Sequence, residues 1–222
     1  SNVVLVLSVL IWGTLCLPLL AAPRPWVTGV VHCWARFYLW AMAAVGGLRL
    51  DMTGRENLPD GPFILAAKHQ SAWDTFVFLA LFEAPAYVLK RELLKIPYYG
   101  WYSRASGHIA VDRSAGASAL KKMVAQARTV AAEGRPIVIF PQGTRVLPGE
   151  DKPYLPGVTA LYTGLGLPVV PVALNSGLFW GRKGLMKRGG TVSLRFGAPI
   201  PPGENRKAFL KTLSGRIEGM MA

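Results

Sequence analysis

The sequence predicts an α/β protein: a mostly parallel sheet covered by helices on both faces, preceded by an N-terminal two-helix membrane-anchoring hairpin. Three observations carry this expectation. From residue 48 onward, apolar runs of strand length alternate with helical patterns. Those runs are continuous rather than alternating, as expected of strands covered on both faces. Before residue 48, the only charged side chains are Arg24 and Arg36.

The N-terminal part reads as two apolar helices. Val3 to Ala22 is VVLVLSVLIWGTLCLPLLAA, about the ~20 uncharged residues that a bilayer-spanning helix needs. Pro18 predicts a kink, and Pro23-Arg24-Pro25 a break. Trp26 to Leu48 is also apolar but holds His32, Arg36, Trp34, Phe37, Tyr38 and Trp40. One Arg at mid-bilayer costs roughly 2.5–3.5 kcal/mol, so this segment is less suited to span. Its aromatic residues suit the headgroup level. The pair is therefore expected either to span or to dip into one leaflet as a monotopic anchor. A cleaved signal peptide fits less well. The apolar run is long, no basic residue precedes it, and a second apolar segment follows. Residues 1–47 are expected to form the anchor and residues 48–222 the α/β domain. The positive-inside rule puts the basic remainder on the cytoplasmic face of the cell inner membrane.

Candidate strands are Leu48–Met52, Phe63–Ala67, Ala86–Leu89, His108–Val111, Pro136–Phe140, Val169–Leu174 and Thr191–Phe196. Helical stretches are expected at Ala72–Phe82, Ala115–Glu133, Val158–Gly164 and Glu204–Glu218. The second of these sets Leu120, Val124, Ala127 and Ala131 on one face, with Gly134 at its stop.

Composition narrows the class of function. The 222 residues are 51% hydrophobic and 17% charged, which excludes intrinsic disorder. Cys16 and Cys33 lie in the most apolar part of the chain and read as reduced packing residues. Lys and Arg total 25 against 12 Asp and Glu, a net charge of +13 that implies an anionic partner. Strong basic charge on so apolar a chain favours an anionic membrane surface. The basic residues are spread rather than run together, which argues against nucleic acid.

Polar residues gather just past the strands. Phe63–Ala67 runs into KHQSAWD (68–74), Ala86–Leu89 into Lys90-Arg91-Glu92, His108–Val111 into Asp112-Arg113, and Pro136–Phe140 into PQGTR (141–145). Ligands of open α/β sheets bind outside the carboxyl ends of strands, so these turns are expected to face one cleft. His69 and Asp74 have H-x4-D spacing, with Asp74 in the first turn of the next helix. The carboxylate can then hold one imidazole nitrogen, leaving the other to take a proton from a hydroxyl. Ser71-x-x-Asp74 also has the form of a capping box, with Asp in place of Glu or Gln. Gly143 lets backbone approach a ligand, and Arg145 offers a planar fork of donors for phosphate. Aromatic-rich IPYYGWY (96–102) is expected to meet lipid, line an acyl pocket or pack in the core. His108 reads as structural, and His32 as an interfacial or packing residue. No G-x-S-x-G elbow, phosphate-binding P-loop or metal-spaced Cys/His cluster occurs.

KHQSAWD (68–74), GHIAVDR (107–113), FPQGTR (140–145) and VVPVAL (169–174), in that order, resemble the four blocks of the glycerolipid acyltransferases. YVLKRELLKIPYYGW (87–101) is similar to a further stretch common there. The pattern most resembles the bacterial 1-acyl-sn-glycerol-3-phosphate, or lysophosphatidic acid, acyltransferases. The resemblance spans roughly residues 55–200.

It implies transfer of a fatty acyl group from acyl-carrier protein or coenzyme A to the sn-2 hydroxyl of lysophosphatidate, with no metal and no further cofactor. By that similarity His69 is the base and Asp74 its orienting partner. Arg113 and Arg145, helped by Lys90, hold the acceptor phosphate, and Gln142, Gly143 and Thr144 shape the same pocket. The expected partners are the lysophospholipid acceptor, the thioester donor and an anionic membrane surface. Gln142 stands where such enzymes usually carry Glu, keeping the shape but losing the charge. That leaves a different lyso-lipid, such as lyso-ornithine lipid, as an alternative acceptor. A lipid-binding protein without catalysis is the non-enzyme alternative, against which His69 and Asp74 both speak.

Overall fold

The computed structural model describes residues 2–150, 152–181 and 188–221. All seven expected strands form: β1 (Leu48–Thr53), β2 (Ile64–Ala67), β3 (Ala86–Lys90), β4 (Ile109–Val111), β5 (Ile137–Ile139), β6 (Val169–Leu174) and β7 (Gly190–Phe196). They build one sheet in the order β1-β7-β6-β2-β5-β3-β4. Every pairing is parallel except that of β6 with β7. The helices are α1 (Asn2–Leu15), α2 (Arg24–Gly46), α3 (Trp73–Leu81), α4 (Tyr99–Ala105), α5 (Gly116–Ala132), α6 (Pro156–Leu165) and α7 (Arg206–Gly219).

Side chains of β2 divide between two cores. Leu65 and Ala67 pack with Tyr38 and Met42 of α2 and with Trp73, Val77 and Phe78 of α3. Ile64 and Ala66 pack with α5, α6 and α7 through Met123, Leu161 and Phe209. Both faces of the central strands are thus covered, which is why their sequences are apolar throughout. β1 and β7 depart from this expectation. Arg49, Asp51, Thr53, Thr191 and Arg195 are exposed, because only one face of this edge is covered. Pro171 sits mid-strand in β6, where its missing N–H falls just outside the antiparallel ladder: pairing with β7 covers only Val172–Leu174.

The N-terminal helices differ from expectation in length, and α2 also contributes to the core. α1 stops at Leu15, and Pro18 lies in a separate 3₁₀ turn, Leu17–Ala21, so the apolar run is not one long helix. Among the described residues no helix is long and apolar enough to cross a membrane. Pro23-Arg24-Pro25 opens α2 rather than only interrupting the chain, since the fixed φ of proline suits a first helical turn. One side of α2 is built into the core: Ala35 and Tyr38 are fully buried, and the Tyr38 and Phe76 rings meet at 4.9 Å. His32 turns its Nδ1 to the carbonyls of Leu79 and Phe82, 2.9 and 3.1 Å away, closing the C-terminal end of α3. Trp26, Phe37 and Trp40 are exposed on α2 away from that side, as are Leu7, Ile11 and Leu15 on α1.

The sequence patterns did not foresee α4. It begins after Tyr98, whose φ of 59° is the one positive value at a non-glycine residue among those described. Gly100 is required there, since a Cβ would lie 2.0 Å from the Leu94 carbonyl oxygen.

Candidate active site

The five neighbouring strands β6, β2, β5, β3 and β4 run parallel, so their carboxyl ends share one edge. All four polar turns read from the sequence emerge there. His69 follows β2, and its carbonyl accepts a 2.8 Å hydrogen bond from the Val146 N–H. Its Nδ1–H donates to Asp74 Oδ2 at 2.9 Å. That bond fixes the tautomer and leaves Nε2 as the proton acceptor. The imidazole stacks on Phe140 at the end of β5 and keeps 14% of its surface open.

Asp74 is fully buried in the first turn of α3. Its Oδ2 also accepts the backbone N–H groups of Gln70 (2.7 Å) and Ser71 (2.9 Å). The bonds from Gln70 and Ser71 close the turn that leads into α3. One carboxylate therefore braces the turn into α3 and holds the imidazole. Oδ1 accepts from the Ser176 hydroxyl. Ser71 Oγ donates to Ser176 Oγ at 2.8 Å and lies 3.2 Å from Oδ1. Gly177 N–H donates to Gln70 Oε1 at 3.0 Å. The turn after β6 thus clamps the 68–74 loop at two points. Sequence reasoning missed Ser176, whose only local signal is its place just past an apolar strand.

The remaining predicted residues lie along the same edge. Gly143 has φ 66°, and a Cβ there would come within 2.9 Å of Arg113 Nη2 and 2.4 Å of Leu155 Cδ1. Arg113 therefore lies over Gly143, and only glycine leaves it room. Gln142 is buried with both amide atoms lacking a protein partner. Thr144 and Arg145 are half-buried beside it. Asp112 braces the turn that carries Arg113. Hydrogen bonds from the Ser114 hydroxyl and N–H, and then from Arg91, hold its carboxyl below the usual carboxylate range. Lys90 is exposed at the end of β3, with no side-chain hydrogen bond or ion pair among the described residues. Lys68 points away, pairing with Glu218 of α7 at 2.6 Å. Among the described residues no group of three or more His, Cys, Asp or Glu converges as a metal site.

An apolar cavity of about 240 Å³ lies between α1, α2, α3 and α4. Val9, Trp12, Phe76, Tyr98, Tyr102 and His108 line it, and it reaches Thr75, the residue after Asp74. His69 is not part of its wall. His108 Nδ1 accepts the Tyr87 N–H at 3.3 Å. Burial and the neighbouring Arg135 push its pKa down to about 3, so it is neutral here.

The acyltransferase family profile matches residues 49–175, which contain every residue of this edge up to the end of β6. This chain belongs to the acyltransferase family. A 1-acyl-sn-glycerol-3-phosphate acyltransferase of Pseudomonas aeruginosa is 37% identical over 97% of this chain and 84% of its own length. The Saccharomyces cerevisiae enzyme of that name is 31% identical over 68% of this chain, which spans about half of the yeast protein (49%). The crystal structure of the 1-acyl-sn-glycerophosphate acyltransferase PlsC from Thermotoga maritima superposes with a TM-score of 0.80, over 100% of this chain and 93% of that one. At 22% identity that likeness speaks for the fold of the acyltransferase.

Proposed function

We propose that this acyltransferase moves a fatty acyl group from a thioester, on acyl-carrier protein or coenzyme A, to the sn-2 hydroxyl of lysophosphatidate, giving phosphatidate for phospholipid biosynthesis. One observation carries the reading. An imidazole held through Nδ1 by a buried carboxylate stands at the same sheet edge as an arginine packed over a glycine turn.

That geometry supports the following course of reaction. Nε2 of His69 accepts the proton of the acceptor hydroxyl as its oxygen attacks the thioester carbonyl. Asp74 keeps the ring in place and stabilises the imidazolium. The tetrahedral intermediate collapses, the C–S bond breaks, and the thiolate leaves with the proton from Nε2. No acyl-enzyme is needed, because the acceptor hydroxyl, deprotonated as it attacks, reaches the thioester carbonyl directly. Arg113 and Arg145 hold the acceptor phosphate, with Lys90 at the rim and Gln142, Gly143 and Thr144 shaping the turn. The apolar cavity next to Thr75 suits a hydrocarbon chain. Exposed Leu7, Ile11, Leu15, Trp26 and Trp40 support a monotopic anchor formed by residues 1–47, resting in the cytoplasmic leaflet of an anionic membrane.

Purified protein assayed with a panel of lyso-lipids and both thioester donors tests this. Phosphatidate formation from lysophosphatidate is expected to exceed every other product. Preference for lyso-ornithine lipid would trace to Gln142 and reassign the acceptor.

A further inference from the structure

A groove of about 690 Å³ runs between α5, α6 and α7. Leu120, Val124 and Leu210 form its apolar floor, and Lys121, Arg128 and Arg206 stand along it, all three exposed. Arg128 is steadied by a 2.7 Å hydrogen bond from Nη2 to the Gly164 carbonyl. None of the three cations is ion-paired among the described residues. α5 carries Lys121, Lys122 and Arg128 and no carboxylate, and α7 opens with Arg206, Lys207 and Lys211.

Its position decides what it can meet. The exposed apolar side chains of α1 and α2 lie on the side of the sheet covered by α2 and α3. The groove lies on the other side, over the core built by α5, α6 and α7. A basic surface turned away from the apolar one fits a soluble anionic partner rather than a bilayer. The groove also begins beside the site. α5 starts three residues after Arg113, and α6 starts directly after Leu155, whose side chain lies against Gly143.

We propose that the α5–α6–α7 groove docks an acidic carrier protein that presents the acyl thioester. The proposal rests on the acyl-transfer reading above and assigns its donor. An acidic helix laid on the apolar floor would pair with the three cations, and its thioester arm would reach over the ends of α5 and α6 to His69.

The test pairs Lys121→Glu/Arg206→Glu with Lys121→Ala/Arg206→Ala, both leaving Arg128 in place. Each is assayed with palmitoyl-carrier protein, palmitoyl-coenzyme A and palmitoyl-pantetheine. The reversed variant should raise KM for the carrier thioester at least ~10-fold, with the alanine variant between it and the parent, as expected for a steering surface. Turnover of palmitoyl-pantetheine should be unchanged. Equal losses on all three donors would make the groove structural, and equal losses on the carrier and coenzyme A thioesters would make it a phosphate site. Either result overturns the proposal. Titration of the unacylated carrier reads docking without turnover. Absence of binding to the parent protein, or an unchanged Kd in the reversed variant, overturns the proposal even where the acyl-transfer reading stands. Loss of sedimentation with phosphatidylglycerol vesicles, with carrier Kd intact, would make the groove a bilayer contact instead.

Discussion

The imidazole of His69 lies almost flat on the ring of Phe140, with centroids 4.0 Å apart and planes inclined by 17°. Phe140 directly follows the neighbouring strand β5, so the imidazole is held from two strand ends: through Asp74 after β2, and through a ring face after β5.

Phe140→Leu removes that wall but leaves the Nδ1 bond to Asp74. It is expected to lower kcat by ~10-fold, within the cost of misplacing a reacting group by a fraction of an ångström, with little change in either KM. Steady-state kinetics with both substrates varied checks this.

His69→Ala should lower kcat at least ~10²-fold with the fold retained, the scale of general-base contributions. Asp74→Asn should also fall steeply, and the double variant should be little worse than His69→Ala, since groups acting as a unit are not additive. If Asp74 served only to close the helix start, Asp74→Asn would cost about 1 kcal/mol of stability and spare kcat. Thermal midpoints and kcat of the three proteins separate these outcomes.

Ser176→Ala leaves Asp74 Oδ1 with Ser71 Oγ as its remaining side-chain contact. The expected cost is about 1–3 kcal/mol of stability, the range for a buried acceptor losing its donor. Denaturant midpoints measure it. kcat should fall with unchanged KM, and Ser176→Thr should restore both.

At the phosphate corner, Arg145→Ala and Arg113→Ala should raise KM for a phosphate-bearing acceptor far more than for the thioester. Lysine at either position should rescue only in part, because the donor fork is lost. Gly143→Ala should reproduce the Arg113 defect, since its Cβ would press on that guanidinium at 2.9 Å. Equal effects on both substrates would assign these residues to the donor or to structure.

His108 supplies a pH dependence of stability. Its pKa falls from 6.5 to about 3 on folding, so the unfolded chain binds more protons between those values. Stability is therefore complete above pH 6.5 and declines as pH drops toward 3, by at most ~1.4 kcal/mol per pH unit. His108→Asn keeps an acceptor for the Tyr87 N–H but does not titrate. Its Tm should fall less steeply than that of the parent protein between pH 6.5 and 4; parallel slopes would overturn the assignment.

Strands were legible because both faces of the central ones are covered, so each prints a continuous apolar run such as Val169–Leu174. The H-x4-D spacing was legible because its partners are local. What the sequence hid is long-range or sterically imposed. Ser176 meets Asp74 across 102 positions of chain, and no periodicity records that. α4 is seeded by the tight turn at Tyr98 and Gly100 inside an aromatic cluster that carries no helical stripe. The end of α1 at Leu15 comes from Pro18, three residues further on, acting on a run that hydropathy alone reads as unbroken.

α2 gives one side to the core, through Ala35 and Tyr38, and leaves Trp26 and Trp40 exposed on the other. No tether separates the two sides. On the anchored reading, the His69 imidazole rides at a single depth relative to the lipid headgroups. Regiochemistry then becomes a matter of altitude. A glycerolipid standing upright in the leaflet brings one of its carbons to that level, and which hydroxyl is acylated is set by how deep a rigid body floats.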